Sequence, residues 1–147
     1  MSPYRVVQDF EGELASYTGA PRVVAVSSCT AALMLAVAWR MQEKNDFGQI
    51  NARIQIEIPK YTYVSVGMAI IRGGGRPTFR DEDWIGMYEL KPLNVWDSAR
   101  YFTSGIWKHR TPAPADRPGT MICLSFHASK TLGIEYGGAI LHDCPEA

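Results

Sequence analysis

Short apolar runs rich in β-branched residues recur along the chain, at residues 23–26, 54–58, 77–79, 93–96, 121–126 and 139–141. Runs this short, with little polar alternation, predict strands covered on both faces, and such strands belong to a mainly parallel sheet. Between the first two runs lies TAALMLAVAWRMQ, residues 30–42. Its Ala, Leu and Met content favours a helix, with Ser27, Ser28 and Thr30 as possible caps. A second helix is predicted over residues 62–72, ending where Gly73-Gly74-Gly75 interrupts regular structure before the next strand. The resulting β-α-β rhythm defines an α/β fold. The segment 111–119, TPAPADRPG, has three prolines and no apolar period, so it is predicted as a surface connection.

Composition narrows the picture. With 147 residues, 46% of them hydrophobic and 20% charged, the chain suits one domain spanning residues 1–147. Fifteen Lys+Arg balance fifteen Asp+Glu, leaving no field to concentrate a polyanion, so no nucleic-acid partner is expected. No apolar stretch approaches the ~20 residues of a membrane-spanning helix, and the first residues do not read as a secretory signal. The expectation is a cytoplasmic protein without a membrane partner. Cys29, Cys123 and Cys144 lie far apart with no C-x-x-C pair, which favours reduced thiols over a disulfide framework or a zinc site.

In an open parallel α/β sheet, ligands gather beyond the carboxyl ends of the strands, where helix N-termini present free N–H groups. The first run is followed by Ser27-Ser28-Cys29-Thr30, which either caps a helix or holds a phosphate. Asp97 follows the fourth run directly, as a helix cap or a placed carboxylate. The fifth run leads into Ser125-Phe126-His127-Ala128-Ser129-Lys130, whose lysine is either a solvated charge or a reactive amine. His127 has no ligand partner at helical spacing, so no metal site is expected.

Together these strand-end residues form an ordered set. The turn at Ser28-Cys29-Thr30-Ala31-Ala32-Leu33, the P-K-Y-T-Y of residues 59–63, the W-D-S-A of residues 96–99, the S-F-H-A-S-K of residues 125–130 and the following Gly137-Gly138-Ala139 succeed one another along the chain. In that order the sequence resembles the DegT/StrS-type nucleotide-sugar aminotransferases, pyridoxal-phosphate enzymes of fold type I, from about Phe10 to Asp143. The resemblance implies a three-layer α/β/α sandwich with a mainly parallel sheet, like the large domain of fold type I transferases.

It also implies roles. Lys130 matches the lysine that carries pyridoxal phosphate as a Schiff base, and Asp97 the acid facing the pyridine nitrogen. Cys29 and Thr30 match a Gly-Thr pair around the cofactor phosphate, Ser125 a further phosphate-binding hydroxyl, and Tyr63 the aromatic that stacks on the ring. Three departures stand out. Cys29 occupies a usual glycine position and puts a Cβ near the phosphate. Arg100 replaces a usual Gln or His near the cofactor's phenolic oxygen, and either pairs with it or turns outward. Tyr136-Gly137-Gly138 stands where Glu-Gly-Gly is usual, with Glu135 one place early.

By resemblance the substrates are a nucleotide-linked keto-sugar and an amino-acid donor, glutamate in this family, and the active unit is a homodimer or higher oligomer. The retained lysine argues against the family's dehydratase branch. Family members run two to three times this length, so the chain reads as a truncated large domain without the small C-terminal domain. The alternative is a catalytically incomplete remnant that binds the cofactor or serves as an interaction subunit. An unrelated phosphate-binding α/β domain ranks last, because it leaves Asp97 and Lys130 unexplained.

Overall fold

The computed structural model describes residues 4–46, 54–109 and 117–147. Residues 111–116 of the predicted surface connection lie outside them. The elements run α1 (Arg5–Thr18), β1 (Arg22–Val26), α2 (Cys29–Asp46), β2 (Gln55–Pro59), α3 (Val64–Arg72), β3 (Arg76–Arg80), β4 (Tyr88–Leu90), β5 (Val95–Asp97), α4 (Ile106–His109), β6 (Met121–Ser125) and β7 (Gly138–His142).

A five-stranded sheet has the order β1-β7-β6-β5-β4, and β2 and β3 form a parallel pair beside it. The backbones of Glu57 and Lys91 join the two, exchanging hydrogen bonds of 2.8 and 3.1 Å as an antiparallel bridge. The expected mainly parallel sheet needs correction here. In the five-stranded sheet only β5 and β6 pair in parallel, while β1–β7, β6–β7 and β4–β5 are antiparallel. The cause is the insertion of two reversed strands. Following the pairings across the bridge, β1, β2, β3, β5 and β6 all point one way, and only β4 and β7 oppose them. Continuous apolar runs report that a strand is covered on both faces, and β7 is buried at all five positions whatever its direction.

Helices cover both faces, completing three layers. On one face α2 and α3 bury Leu33, Val37, Val66 and Ile70 against Ile56, Val95, Met121, Cys123 and Ile140. On the other, α1 and α4 bury Leu14, Ile106 and Trp107 against Ile122, Leu124, Ala139 and Leu141. Alternation along β6 and β7 divides their side chains between the two cores, as a pleated strand requires. Helix α2 starts where the Ser28 hydroxyl accepts the Ala31 N–H at 3.1 Å, an N-cap bond. Helix α1 ends at Gly19, whose φ of 76° lets its N–H close on the Ala15 carbonyl at 2.8 Å. Among the described residues, no helix is long and apolar enough to cross a membrane.

Candidate functional site

The carboxyl ends of β1, β5 and β6 and the start of α3 surround a cavity of about 350 Å³. Its wall on one side is the start of α2, with Cys29 and Thr30, and on the other the end of β6, with Ser125, and the loop between β6 and β7, with Ser129 and Lys130. Tyr63 and Tyr136 reach it from the rim, and Asp97 borders it from the end of β5. A second hollow of about 310 Å³, between α2 and the sheet, is lined mainly by apolar groups such as Val24, Leu35 and Trp39 and holds none of the predicted site residues.

Asp97 is 6% exposed. Its Oδ1 accepts the Ala99 N–H at 2.9 Å, and its Oδ2 accepts the Tyr88 hydroxyl at 2.7 Å. Burial holds its carboxyl above the ordinary carboxylate range, while the Tyr88 hydroxyl, the Ala99 N–H and the Lys130 charge oppose that effect. The two accepted bonds leave lone pairs on both oxygens for a further donor.

Lys130 is half-buried on the β6–β7 hairpin loop. The loop is closed at its base by Phe126 N–H to the Gly137 carbonyl at 3.0 Å and Ile134 N–H to the Phe126 carbonyl at 2.9 Å. Its own N–H bonds the His127 carbonyl at 2.8 Å, a turn that brings the side chain to the cavity. Among the described residues Lys130 makes no ion pair.

The glycine pair after this loop has a steric purpose. Gly137 has φ 122°, outside the range of ordinary side chains, and bridges Ser28. A Cβ on Gly138 would sit 2.6 Å from the Ser28 carbonyl carbon and 2.7 Å from both the Cys29 nitrogen and the Leu124 oxygen. Only glycine lets β7 lie this close beneath the start of α2, so the pair holds that helix end over the cavity.

The Cys29 thiol does not fill the space in front of the helix. It turns toward the sheet, with Sγ 3.8 Å from the Cys123 carbonyl oxygen and 4.0 Å from Asp97 Oδ1. Burial first, and then the Asp97 charge, hold it protonated, against the pull of Lys130. Thr30 is exposed on the first turn, its hydroxyl donating to Ser65 Oγ at 3.0 Å. Tyr63 precedes α3 with its side chain 74% exposed.

Cys29, Thr30, Tyr63, Asp97, Ser125 and Lys130 thus line one cavity. Arg100 is exposed and is not among the lining residues. The Asp97 carboxylate bonded to Ala99 N–H, with the Ser98 hydroxyl bonded to the Tyr101 carbonyl at 2.7 Å, makes a turn that presents Ala99 to the cavity instead. His127 is exposed, its Nδ1 3.0 Å from Ser129 Oγ. No cluster of three metal-ligating side chains occurs among the described residues. Sequence reasoning missed Tyr88, which lies on a three-residue strand without a motif around it, and Ser65, whose role is set by its contact with Thr30.

The three-layer architecture, with its cavity at the strand carboxyl ends, is that of the fold type I pyridoxal-phosphate aminotransferases. The sugar aminotransferase CalS13 from Micromonospora echinospora superimposes with a TM-score of 0.65 at 20% identity, over 99% of this chain and 47% of that one. NtdA from Bacillus subtilis, solved with bound cofactor PMP, gives 0.65 at 19% identity, over 99% of this chain and 38% of that one. A family member from Brucella abortus gives 0.65 at 19% identity, over 99% and 48%. In sequence, residues 1–106 match the DegT/DnrJ/EryC1/StrS aminotransferase family, and the chain belongs to that family. The spore coat polysaccharide biosynthesis protein SpsC of Bacillus subtilis (strain 168) is 38% identical over 77 residues, 52% of this chain and 18% of that protein. The chain spans less than half the length of these relatives. Asp97 falls inside the family match and Lys130 beyond it.

Proposed function

We propose that this chain carries the pyridoxal-phosphate-binding part of a nucleotide-sugar aminotransferase. The observation that carries the reading is the convergence on one cavity of a buried carboxylate with free acceptor capacity, an amine with no ion pair among the described residues, and hydroxyls around a helix N-terminus. These chemistries match the cofactor's pyridine nitrogen, its aldehyde and its phosphate respectively.

When bound, pyridoxal phosphate supplies an aldehyde and an electron-withdrawing pyridinium ring. Lys130 provides the amine that attaches the cofactor and, when free, its Nζ takes up and returns a proton. Asp97 would accept a hydrogen bond from the ring N–H and keep that proton in place. Thr30, Ser125 and the first-turn N–H groups of α2 hold the phosphate dianion, with Cys29 contributing backbone while its thiol stays below. Tyr63, exposed at the rim, would supply the ring for stacking on the cofactor. Arg100 takes no part in this arrangement.

The family and the named sugar aminotransferase among its structural relatives support a sugar as amino acceptor; that the sugar is a nucleotide-linked keto-sugar, that glutamate is the donor and that the reaction runs in the cytoplasm extend this reading by the sequence resemblance alone. Assembly as a homodimer or larger oligomer is supported by an apolar stripe on α3, where Val64, Met68 and Ile71 are exposed at helical spacing. Sedimentation at micromolar concentration reads this directly, and a monomer there would remove it.

The deciding experiment is borohydride trapping. Protein mixed with pyridoxal phosphate is expected to develop a visible absorbance band, and reduction should fix the cofactor mass on the peptide containing Lys130. Absence of a band, or a label that persists unchanged in Lys130→Ala, would overturn the assignment.

A further inference from the structure

The cavity's carboxylate is held by a relay that begins on a different loop. Tyr88 is buried, at 3% exposure, and its hydroxyl donates to Asp97 Oδ2 at 2.7 Å. A phenol has one proton, so the contact between Tyr88 and the Thr62 hydroxyl has Thr62 as donor. The order is therefore Thr62 O–H to Tyr88 O, then Tyr88 O–H to Asp97 Oδ2. Each bond in such a chain polarises the next, strengthening donation to the carboxylate.

The Tyr88 ring is fixed independently of this chain. The Trp84 ring packs edge-on against it, with centroids 4.7 Å apart at 62°, while the Trp84 indole N–H bonds the Tyr61 carbonyl at 2.9 Å. Lys60 closes the same junction through its N–H to the Arg80 carbonyl at 3.0 Å and its Nζ to Asp81 at 2.9 Å. The loop that carries Tyr63 to the rim is thereby tied, through Thr62 and Tyr88, to the carboxylate on the floor.

We infer that Tyr88, oriented by Thr62, is a positioning residue that fixes Asp97 at the cavity and favours its charged form. The functional value of this rests on the pyridoxal-phosphate reading, because a charged Asp97 is what a ring N–H requires. The effect on Asp97 itself does not depend on any cofactor. Asp97 faces Tyr88 from β4, Cys29 from α2, Cys123 from β6 and Lys130 from the β6–β7 loop. Burial pushes Cys29, Cys123 and Tyr88 upward, so none of these three loses a proton in the range where a carboxyl titrates.

The test is a carboxyl titration by ¹³C NMR on cofactor-free protein labelled at aspartate Cγ, with the Asp97 signal assigned by its loss in Asp97→Asn. Removing a hydrogen bond that favours the ionised form raises the midpoint. In Tyr88→Phe the Asp97 midpoint is expected to rise by about one pH unit or more, the scale of a hydrogen bond to a charged group. Thr62→Val should give a smaller rise, and Thr62→Ser should restore the wild-type value. An unmoved or lowered midpoint in folded Tyr88→Phe overturns the inference. Should that variant not fold, Thr62→Val decides, since it keeps the Tyr88 ring: a rise supports the relay and no change overturns it. Failure here, together with successful trapping on Lys130, removes the relay and leaves the cofactor reading. A shifted midpoint without trapping does the reverse.

Discussion

The two ends of α3 are built to opposite specifications. At the carboxyl end the helix is jammed against its neighbours. A Cβ on Gly73 would lie 2.5 Å from Val37 Cγ1 and 2.8 Å from Val37 Cβ, and one on Gly75 would lie 2.3 Å from Ile56 Cδ1. At the amino end Tyr63 and Val64 are about three-quarters exposed, no side chain caps the helix, and the nearby polar groups bond to one another across the cavity wall. One end invests its residues in close packing. The other holds aromatic and hydroxyl groups without burying them, which is the condition of a surface waiting for a ligand.

The contrast can be broken by adding one methyl group at two positions of the same segment. Gly73→Ala has an allowed φ of −75°, so its cost is purely steric: Val37 is fully buried and stiff in its own helix, and cannot move aside. A loss of about 1–3 kcal/mol is expected, the usual size of overpacking. Gly67 lies inside α3 with nothing within 4 Å of its Cβ position. Gly67→Ala should therefore gain about 0.5–1 kcal/mol from helix propensity alone. Chemical denaturation of both variants reads the difference. Equal effects of the same sign would mean that the two ends are packed alike.

How much of this was legible in the sequence follows the same division. Strands β1, β2, β6 and β7 emerge within a residue or two of the apolar runs; β6 and β7 are covered on both faces, whereas β2 buries Ile56 and Ile58 with Gln55 and Glu57 exposed, and no residue of β1 is fully buried. Helix α1 was not anticipated: its inward stripe is thin, with Leu14 and Thr18 buried and Phe10 partly so, among polar neighbours. Strand β4 has three residues, too few for any period to declare itself. Strand direction was misjudged because burial on two faces does not encode it. At the site, Asp97, Lys130 and Thr30 carried motif signals. Tyr88 carried none, since its importance comes from a tertiary contact, and the outward turn of Arg100 depends on the Asp97–Ala99 hydrogen bond.

Asp97 sharpens the comparison from the side of stability. Burial raises its carboxyl above the ordinary range. The folded chain therefore keeps a proton that the unfolded chain releases near pH 4, and stability falls as the pH climbs from there through the folded midpoint. Above that midpoint the loss is complete. Asp97→Asn avoids it, and above that midpoint the cofactor-free variant is expected to be more stable than the wild type. The advantage should shrink as the pH is lowered toward 4. Thermal unfolding across pH measures it. A gap that does not depend on pH would show that ionisation of this carboxylate is not the cause. If Asp97 serves the cofactor as proposed, the same variant loses the acceptor charge for the ring nitrogen, so that stability and function move in opposite directions at one residue.

Tyr63 gives the smallest effect and the most discriminating one. Tyr63 is 74% exposed, so Tyr63→Ala should leave unfolding unchanged to within about 0.5 kcal/mol. If the exposed face is a stacking surface, the same change weakens pyridoxal phosphate binding by about 0.5–1.5 kcal/mol, roughly two- to thirteenfold. Tyr63→Phe should bind as the wild type does, because stacking uses the plane of the ring and not its hydroxyl. A fluorescence titration with the cofactor, run beside a melting curve, separates the possibilities. Loss of stability in Tyr63→Ala would place the residue with Gly73 among the packing groups. A binding defect shared by Phe and Ala would assign the contribution to the hydroxyl. Only a defect confined to Ala, in a protein that unfolds like the wild type, fits an aromatic surface that folding leaves open and the cofactor covers.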